Sequence, residues 1–281
     1  MSDARLSLSI AGTAIVPRGT LVIPTTPSVF TPFLVEALEA SSVADLFWEA
    51  PSTSCGDPFG DVPAPRGLDF LRSDTGLWFR RGSALCRATP DLLSWHAWAR
   101  DPGTAQGEML DGRPWLMLAV WGLVAQNGGA FLHGGICVIG GKYFLLLGES
   151  GAGKSTLSRL VVDSGASCLT DENPFVTEDA GRLLVHGSPW PGLRGADVPL
   201  HGRLSGVFFL RHANSNVARQ MSEAEAGLRL LDNARFFTFE PDFTPLTVAM
   251  LDRIATTVPV FDFGFVPTLP AVDVLRSCLA R

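Results

Sequence analysis

The stretch that most constrains this chain is Gly148-Glu149-Ser150-Gly151-Ala152-Gly153-Lys154-Ser155-Thr156. It fits the pattern G-x-x-x-x-G-K-[ST] at every fixed position. Tyr143 to Leu147 before it reads as a buried strand, and Thr156 to Val162 after it as an amphipathic helix. Gly148, Gly151 and Gly153 lack a Cβ, so the backbone can pass close to a polyphosphate. Several N–H groups and a helix N-terminus then face the anion. In this pattern Lys154 reaches the β- and γ-phosphates and Ser155 offers its hydroxyl to Mg²⁺. The loop as a whole, Glu149, Ser150, Ala152 and Thr156 included, is expected to bind the nucleotide.

Lysine occurs at two positions only, Lys142 and Lys154; every other basic residue of the positive set is arginine. A chain this sparing with lysine still places one at the motif position. The net charge of −6 and the absence of any Lys/Arg run argue against a nucleic-acid binder. The five cysteines form no C-x-x-C pair, and Leu6, Leu8 and Ile10 alternate with serine instead of forming a secretory apolar block. The longest apolar run, Trp115 to Ala125, is too short to span a bilayer. A cytoplasmic, reduced protein with no membrane partner is expected.

The 281 residues allow one large domain or two small ones. Residues 1–112 are read as an N-terminal β-rich α+β subdomain that recognises substrate. Residues 113–281 are read as the catalytic domain. In the first part, residues 5–30 alternate like strands. Thr31-Pro32 looks like a helix start, with the helix running through Phe33, Leu34 and Leu38 toward Trp48. Residues 51–66 are a loop rich in Pro and Gly. Leu68 to Thr89 is a meander with turns at Asp74-Thr75-Gly76 and Arg81-Gly82-Ser83, and Thr89-Pro90 is read as opening a helix that carries Trp95 and Trp98. His96 between those tryptophans is read as structural.

Pro114 to Gln126 is an apolar helix ended by Asn127-Gly128-Gly129. Phe131 to Ile139 and Tyr143 to Leu147 form a hairpin around Gly140-Gly141 whose second strand delivers the glycine loop. Seventeen positions separate Lys154 from Asp171. A helix, a turn and the short strand Ser167 to Thr170 fill that interval and end in Asp171-Glu172. An acidic pair there suits metal and proton chemistry; solvated strand-end carboxylates are the alternative. A second hairpin, Phe175 to Thr177 with Leu183 to Gly187, follows. Ser188 to Gly195 is too rich in Pro and Gly to be regular, and its Arg194 is either a phosphate ligand or a surface arginine. Beyond it come a strand over Leu204 to Leu210, a capping box at Ser222-x-x-Glu225, a helix from Thr244-Pro245, a strand over Val260 to Val266 and a helix over Ala271 to Leu279.

Taken together, His133-Gly134, the Gly148–Thr156 loop, Asp171-Glu172 and the hairpin to Pro189 resemble the HPr kinase/phosphorylase family, with its phosphoenolpyruvate-carboxykinase-like core. The divergent members found with peptide-modification systems, lasso-peptide tailoring kinases among them, look most similar. The motifs cover roughly residues 130–195. The resemblance implies an α/β fold with a mixed sheet around the phosphate loop, ATP and Mg²⁺ as cofactors, and a serine hydroxyl of a peptide or small protein as acceptor. It implies that Asp171 accepts the hydroxyl proton, that Glu172 joins Ser155 at Mg²⁺, and that His133 orders the acid or the phosphate. An ordinary Asp, with a pKa of about 3.9, is a weak base, but phosphoryl transfer depends more on aiming the hydroxyl than on early deprotonation.

Two departures matter. Glu172 stands where the family has a second aspartate. The family's arginine-containing glycine segment is not recognisable in Ser188–Gly195, where Arg194 is the nearest match. The resemblance therefore does not extend to HPr itself as acceptor or to the reverse phosphorylase reaction. A small-molecule kinase and a nucleotide-gated binding protein remain alternatives. ATP against GTP is open, as is the oligomeric state, a homo-oligomer included.

Overall fold

The computed structural model describes residues 6–10, 13–19, 34–36, 42–48, 58–59, 68–82, 84–99, 113–170, 172–188 and 200–278. The chain divides into two compact units, Met1–Leu123 with Phe239–Pro241, and Val124–Thr238 with Asp242–Arg281. Both are built on mixed sheets, so the class is mixed α/β.

The first unit holds an eight-stranded sheet made of β1 (Leu6–Ile10), β2 (Thr13–Gly19), β3 (Leu34–Glu36), β4 (Ser42–Trp48), β5 (Asp69–Ser73), β6 (Gly76–Arg81), β7 (Ala84–Ala88) and β8 (Ser94–Ala99). Their order is β3-β1-β2-β4-β8-β7-β6-β5. Phe79 and Trp95 stack in its core with centroids 5.8 Å apart, and Phe239 meets Phe79 edge-on. The meander over Leu68 to Thr89 is present as expected.

Two expected helices are strands. The segment read as helical toward Trp48 contains β3 and β4, and β4 pairs in parallel with β2 on one edge and β8 on the other. Pairing with β2 along all of β4 and with β8 along Asp45–Trp48 outweighs the weak helical spacing of Leu34 and Leu38. Thr89-Pro90 opens a turn instead of a helix. The Thr89 hydroxyl donates to the Asp91 carboxylate at 2.6 Å, that carboxylate accepts the Leu93 N–H, and Leu92 turns at φ 57°. The Trp95 indole N–H then donates to the Leu92 carbonyl at 2.7 Å, locking the tryptophan onto a strand. Side-chain bonds of this kind compete with helix formation.

The second unit contains β9 (Ala130–Leu132), β10 (Gly134–Ile139), β11 (Lys142–Leu147), β12 (Ser167–Thr170), β13 (Phe175–Asp179), β14 (Arg182–His186), β15 (His201–His212), β16 (Val217–Gln220), β17 (Ala234–Arg235) and β18 (Val260–Phe265). The helix α1 (Arg113–Gln126) leads in; α2 (Lys154–Asp163), α3 (Glu223–Asn233), α4 (Thr244–Thr257) and α5 (Pro270–Cys278) follow. The α1 terminus closes as expected, with the Gly129 N–H on the Val124 carbonyl at 2.7 Å.

Period-two alternation sorts the strand side chains onto two faces. Leu145 and Leu147 of β11, Val207 and Phe209 of β15 and Val260 of β18 pack with Leu230 of α3 and Leu251 and Ile254 of α4. Phe144 and Leu146, Phe208 and Leu210, and Phe263 and Phe265 pack on the other face with Leu157 and Val161 of α2 and Leu275 of α5. A strand with both faces covered reads as a continuous apolar run, which is what Phe144-Leu145-Leu146-Leu147 is. The 12-residue β15 serves two sets of partners. Its first residues pair antiparallel with β14, and the rest runs parallel to β11 and β18. Among the described residues no helix is long and apolar enough to cross a membrane.

Candidate functional site

The glycine loop leaves β11 at Gly148, whose φ is 143°, and enters α2 through Gly153, whose φ is 95°. Both positions require glycine. A Cβ on Gly148 would lie 3.0 Å from the Leu210 carbonyl oxygen, and one on Gly153 would lie 2.7 Å from the Phe265 ring. Gly153 occupies the N-cap of α2 and supplies no side-chain cap, and the first turn carries no acidic residue. The N–H groups of that turn therefore have no acceptor from an N-cap side chain, the arrangement that favours an anion.

Lys154 is buried at 8% exposure. Its Nζ donates to the carbonyls of Gly148 at 2.7 Å and Glu149 at 2.9 Å, so its stem folds back along the loop. Burial pushes its pKa down, and the nearby Glu172 carboxylate pulls it back up. Ser155 and Thr156 are exposed at the start of α2. Glu172 is exposed too, in a turn where Thr170 Oγ1 accepts the N–H groups of Glu172 and Asn173, both at 3.4 Å. Its carbonyl accepts the Gly134 N–H at 3.1 Å, which ties the turn to β10.

Two cavities meet at the loop. One of about 350 Å³ is lined by Gly153, Lys154, Ser155, Thr156 and Glu172. The other, of about 880 Å³, is lined by the outer side of the loop with Leu210, Arg211, His212, Arg229, Asp232 and Arg235. His133, Ser150 and Gly151 border both. His133, half-buried between β9 and β10, has its Nδ1 3.2 Å from an Arg235 guanidinium nitrogen. Burial first, then the charges of Lys154 and Arg235, hold its pKa below the ordinary value, while Glu172 opposes them. An arginine can only donate, so Nδ1 accepts and the neutral ring carries its proton on Nε2.

The structure thus gathers His133, the loop, Lys154, Ser155 and Glu172 around one space. Asp171 and Arg194 lie outside the described residues. Among the described residues no group of three or more His, Cys, Asp or Glu side chains could hold a metal by itself.

Four contributors have no local sequence signal. Asn233 Oδ1 accepts the Gly148 N–H at 3.1 Å. His212 Nε2 lies 2.8 Å from the Gly151 carbonyl oxygen and donates to it. Arg235 holds His133, and Arg229 sits with its guanidinium 4.9 Å from the Phe209 ring centroid. The capping box that opens α3 is half formed. Ser222 accepts the Glu225 N–H at 3.3 Å, but the Glu225 carboxylate turns to Arg219 at 2.6 Å.

No family model and no curated protein matches the chain. Among solved structures it is similar to the Hpr(Ser) kinase/phosphatase from Coxiella burnetii. That likeness is 16% identical, covers 53% of this chain and 97% of that one, and has a TM-score of 0.33.

Proposed function

We propose that this chain is an ATP- and Mg²⁺-dependent kinase that transfers the γ-phosphate to a serine hydroxyl of a peptide or small protein. The observation that carries the nucleotide half of this reading is the smaller cavity. It brings Lys154, Ser155 and Glu172 together at the uncapped start of α2. These residues fit a metal–polyphosphate. The N–H groups at the start of α2 favour an anion, Lys154 supplies a cation within the loop, and one hydroxyl with one carboxylate suits Mg²⁺, which usually keeps several waters and shares phosphate oxygens.

Bound ATP·Mg²⁺ supplies the transferable phosphoryl group and the charge that neutralises it. Lys154 would hold phosphate oxygens in place of its two loop carbonyls, and Ser155 and Glu172 would hold the metal. His133, neutral with its proton on Nε2, acts as a hydrogen-bond donor rather than a base. In this reading Asp171, beside Glu172 in the chain, takes the proton of the acceptor hydroxyl, Arg194 pairs with phosphate, and the larger cavity receives the acceptor. The serine acceptor comes from the motif resemblance alone.

A second reading draws on the size of the larger cavity. About 880 Å³ lies within the range of small-molecule pockets, roughly 300–1,000 Å³, which suits a metabolite kinase as well.

The test is transfer of labelled γ-phosphate from ATP·Mg²⁺ to precursor peptides encoded beside the gene, followed by mass spectrometry. Addition of one phosphate on a serine, lost in Asp171→Asn while ATP binding persists, supports the peptide kinase. Transfer at the full rate by Asp171→Asn removes the base assignment. Nucleotide binding with no peptide phosphorylated shifts the reading to a metabolite kinase or a nucleotide-gated binder.

A further inference from the structure

Asn233 makes three contacts that converge on the site from the C-terminal end of α3. Its side-chain Oδ1 accepts the N–H of Gly148, the first residue of the glycine loop, at 3.1 Å. Its Nδ2 donates to the Arg229 carbonyl at 3.0 Å, in the last turn of its own helix. Its backbone carbonyl accepts the N–H of His133 at 3.1 Å. The next two residues leave the helix as β17 and pair with β9, Ala234 opposite Leu132 and Arg235 opposite Phe131.

The amide is uniquely suited to this position. One side-chain atom must accept from Gly148 and the other must donate to Arg229. An aspartate would set a carboxylate oxygen against the Arg229 carbonyl, and leucine would leave both backbone groups without their side-chain partner. Gly148 is also held from its other side. Lys154 folds onto the Gly148 carbonyl at 2.7 Å, so the peptide units on either side of the Gly148 Cα are held from two directions, one by Asn233 and one by Lys154.

We propose that Asn233 is a positioning residue, which holds the glycine loop in its phosphate-binding shape before any nucleotide arrives. The phosphate-binding role of the loop rests on the nucleotide reading above, whereas the ordering of Gly148 by Asn233 does not and is read by the first measurement alone. Asn233 touches no phosphate itself. Its effect is to remove the ordering that binding would otherwise have to supply, and preorganisation of this kind appears in affinity.

The experiment compares wild type with Asn233→Leu, Asn233→Asp and Ser222→Ala. The last removes the N-cap at the far end of the same helix and reports generic helix loss. Backbone hydrogen exchange of the segment containing Gly148 is measured without nucleotide, and the Kd for ATP·Mg²⁺ is measured by titration. In Asn233→Leu, exchange at Gly148 rises about tenfold and the Kd rises about tenfold, the size expected for one partly buried hydrogen bond at the upper end of its range. Asn233→Asp keeps an acceptor for the Gly148 N–H but loses the donor to the Arg229 carbonyl and adds a negative charge beside the loop, so exchange at Gly148 rises less than in Asn233→Leu while the Kd still rises. Ser222→Ala lowers the unfolding midpoint and leaves the Kd unchanged.

Unchanged exchange at Gly148 in Asn233→Leu overturns the proposal whatever the nucleotide result. So does an equal rise in Kd for Ser222→Ala. A wild-type protein that binds no nucleotide would remove the functional reading instead, with the exchange data still deciding whether Asn233 orders the loop.

Discussion

Arg235 holds His133 through Nδ1 at 3.2 Å, and that single contact fixes which nitrogen of the ring is free to donate. The imidazole is kept neutral by burial and by the positive charges of Lys154 and Arg235. Removing one of those charges should let it titrate at higher pH. In Arg235→Ala the His133 pKa is expected to rise toward the ordinary value of about 6.5, read by NMR titration of the ring carbons. A pKa that stays put or falls would show that Arg235 does not govern the ring.

Lys154 gives a second pH effect, at the alkaline end. Its pKa lies below that of a free lysine because it is buried. Bound phosphates favour the charged form, so nucleotide binding should take up a proton wherever the free protein has begun to lose one. Affinity is therefore expected to fall as pH rises through the lowered pKa. Titration with a fluorescent nucleotide at several pH values checks this. Lys154→Ala should weaken binding at every pH and abolish the dependence.

Gly153→Ala tests the loop geometry. A left-handed residue with a Cβ costs about 1–2 kcal/mol, and here the Cβ also meets the Phe265 ring at 2.7 Å. Urea denaturation should show a loss above 2 kcal/mol, about the strain limit for the backbone alone. In the double variant with Phe265→Leu the ring overlap is relieved and the backbone strain is not, so recovery should be partial. Full recovery would mean that the left-handed conformation is not needed.

His186 sets acid stability. It is buried, 2.7 Å from the Thr177 hydroxyl and stacked on His201, and its pKa is pushed down to about 3, first by burial and then by the His201 charge. The folded state binds the ring neutral. The stability it contributes is fully present above the unfolded value near 6.5 and is lost as pH falls from there toward 3. The slope should be about 1.4 kcal/mol per pH unit over that window. His186→Gln should flatten the pH dependence of denaturant midpoints between pH 6.5 and 4. An unchanged slope would place the acid sensitivity elsewhere.

In the first unit, Arg80 is buried with its guanidinium 2.6 Å from Asp69 and over the Phe59 ring. Asp69→Asn removes the carboxylate and leaves the cation in place, which should cost about 2–3 kcal/mol, moderated because Asp69 is a third exposed. Arg80→Met should cost less, since it removes the charge that needs a partner. Thermal denaturation of the two variants gives the order directly.

The glycine loop, its strand and its helix were legible because their signal is local: three glycines, a lysine and two apolar flanks within twenty residues or so. The hairpin ahead of the loop and the Ser222 cap were legible for the same reason. The walls of the site were not. Asn233 meets Gly148 across 85 positions, His212 meets Gly151 across 61 and Arg235 meets His133 across 102. Nothing in the spacing of those residues marks them, because the contacts exist only once β15 and α3 are in place. The two misread helices failed differently. Ser42–Trp48 is a strand because β2 pairs along its whole length and β8 along Asp45–Trp48, and the Thr89-Pro90 signal was a turn in which the Thr89 hydroxyl donates to Asp91 and accepts the Ser94 N–H instead of capping a helix.

The strand β15 brings Leu204 to Phe209 alongside Tyr143 to Leu147, and only then do Leu210 and His212 reach the loop. During synthesis the whole motif therefore leaves the ribosome well before its surroundings do. A nascent chain that has just exposed Thr156 owns every motif residue and has no Asn233, His212 or Phe265 to shape them. Nucleotide affinity should consequently appear late and abruptly along the growing chain, a long-range and therefore slow assembly step. On the kinase reading proposed above, a ligand that binds only the finished site would draw that last step forward by mass action, so a nucleotide would also assist maturation of the fold.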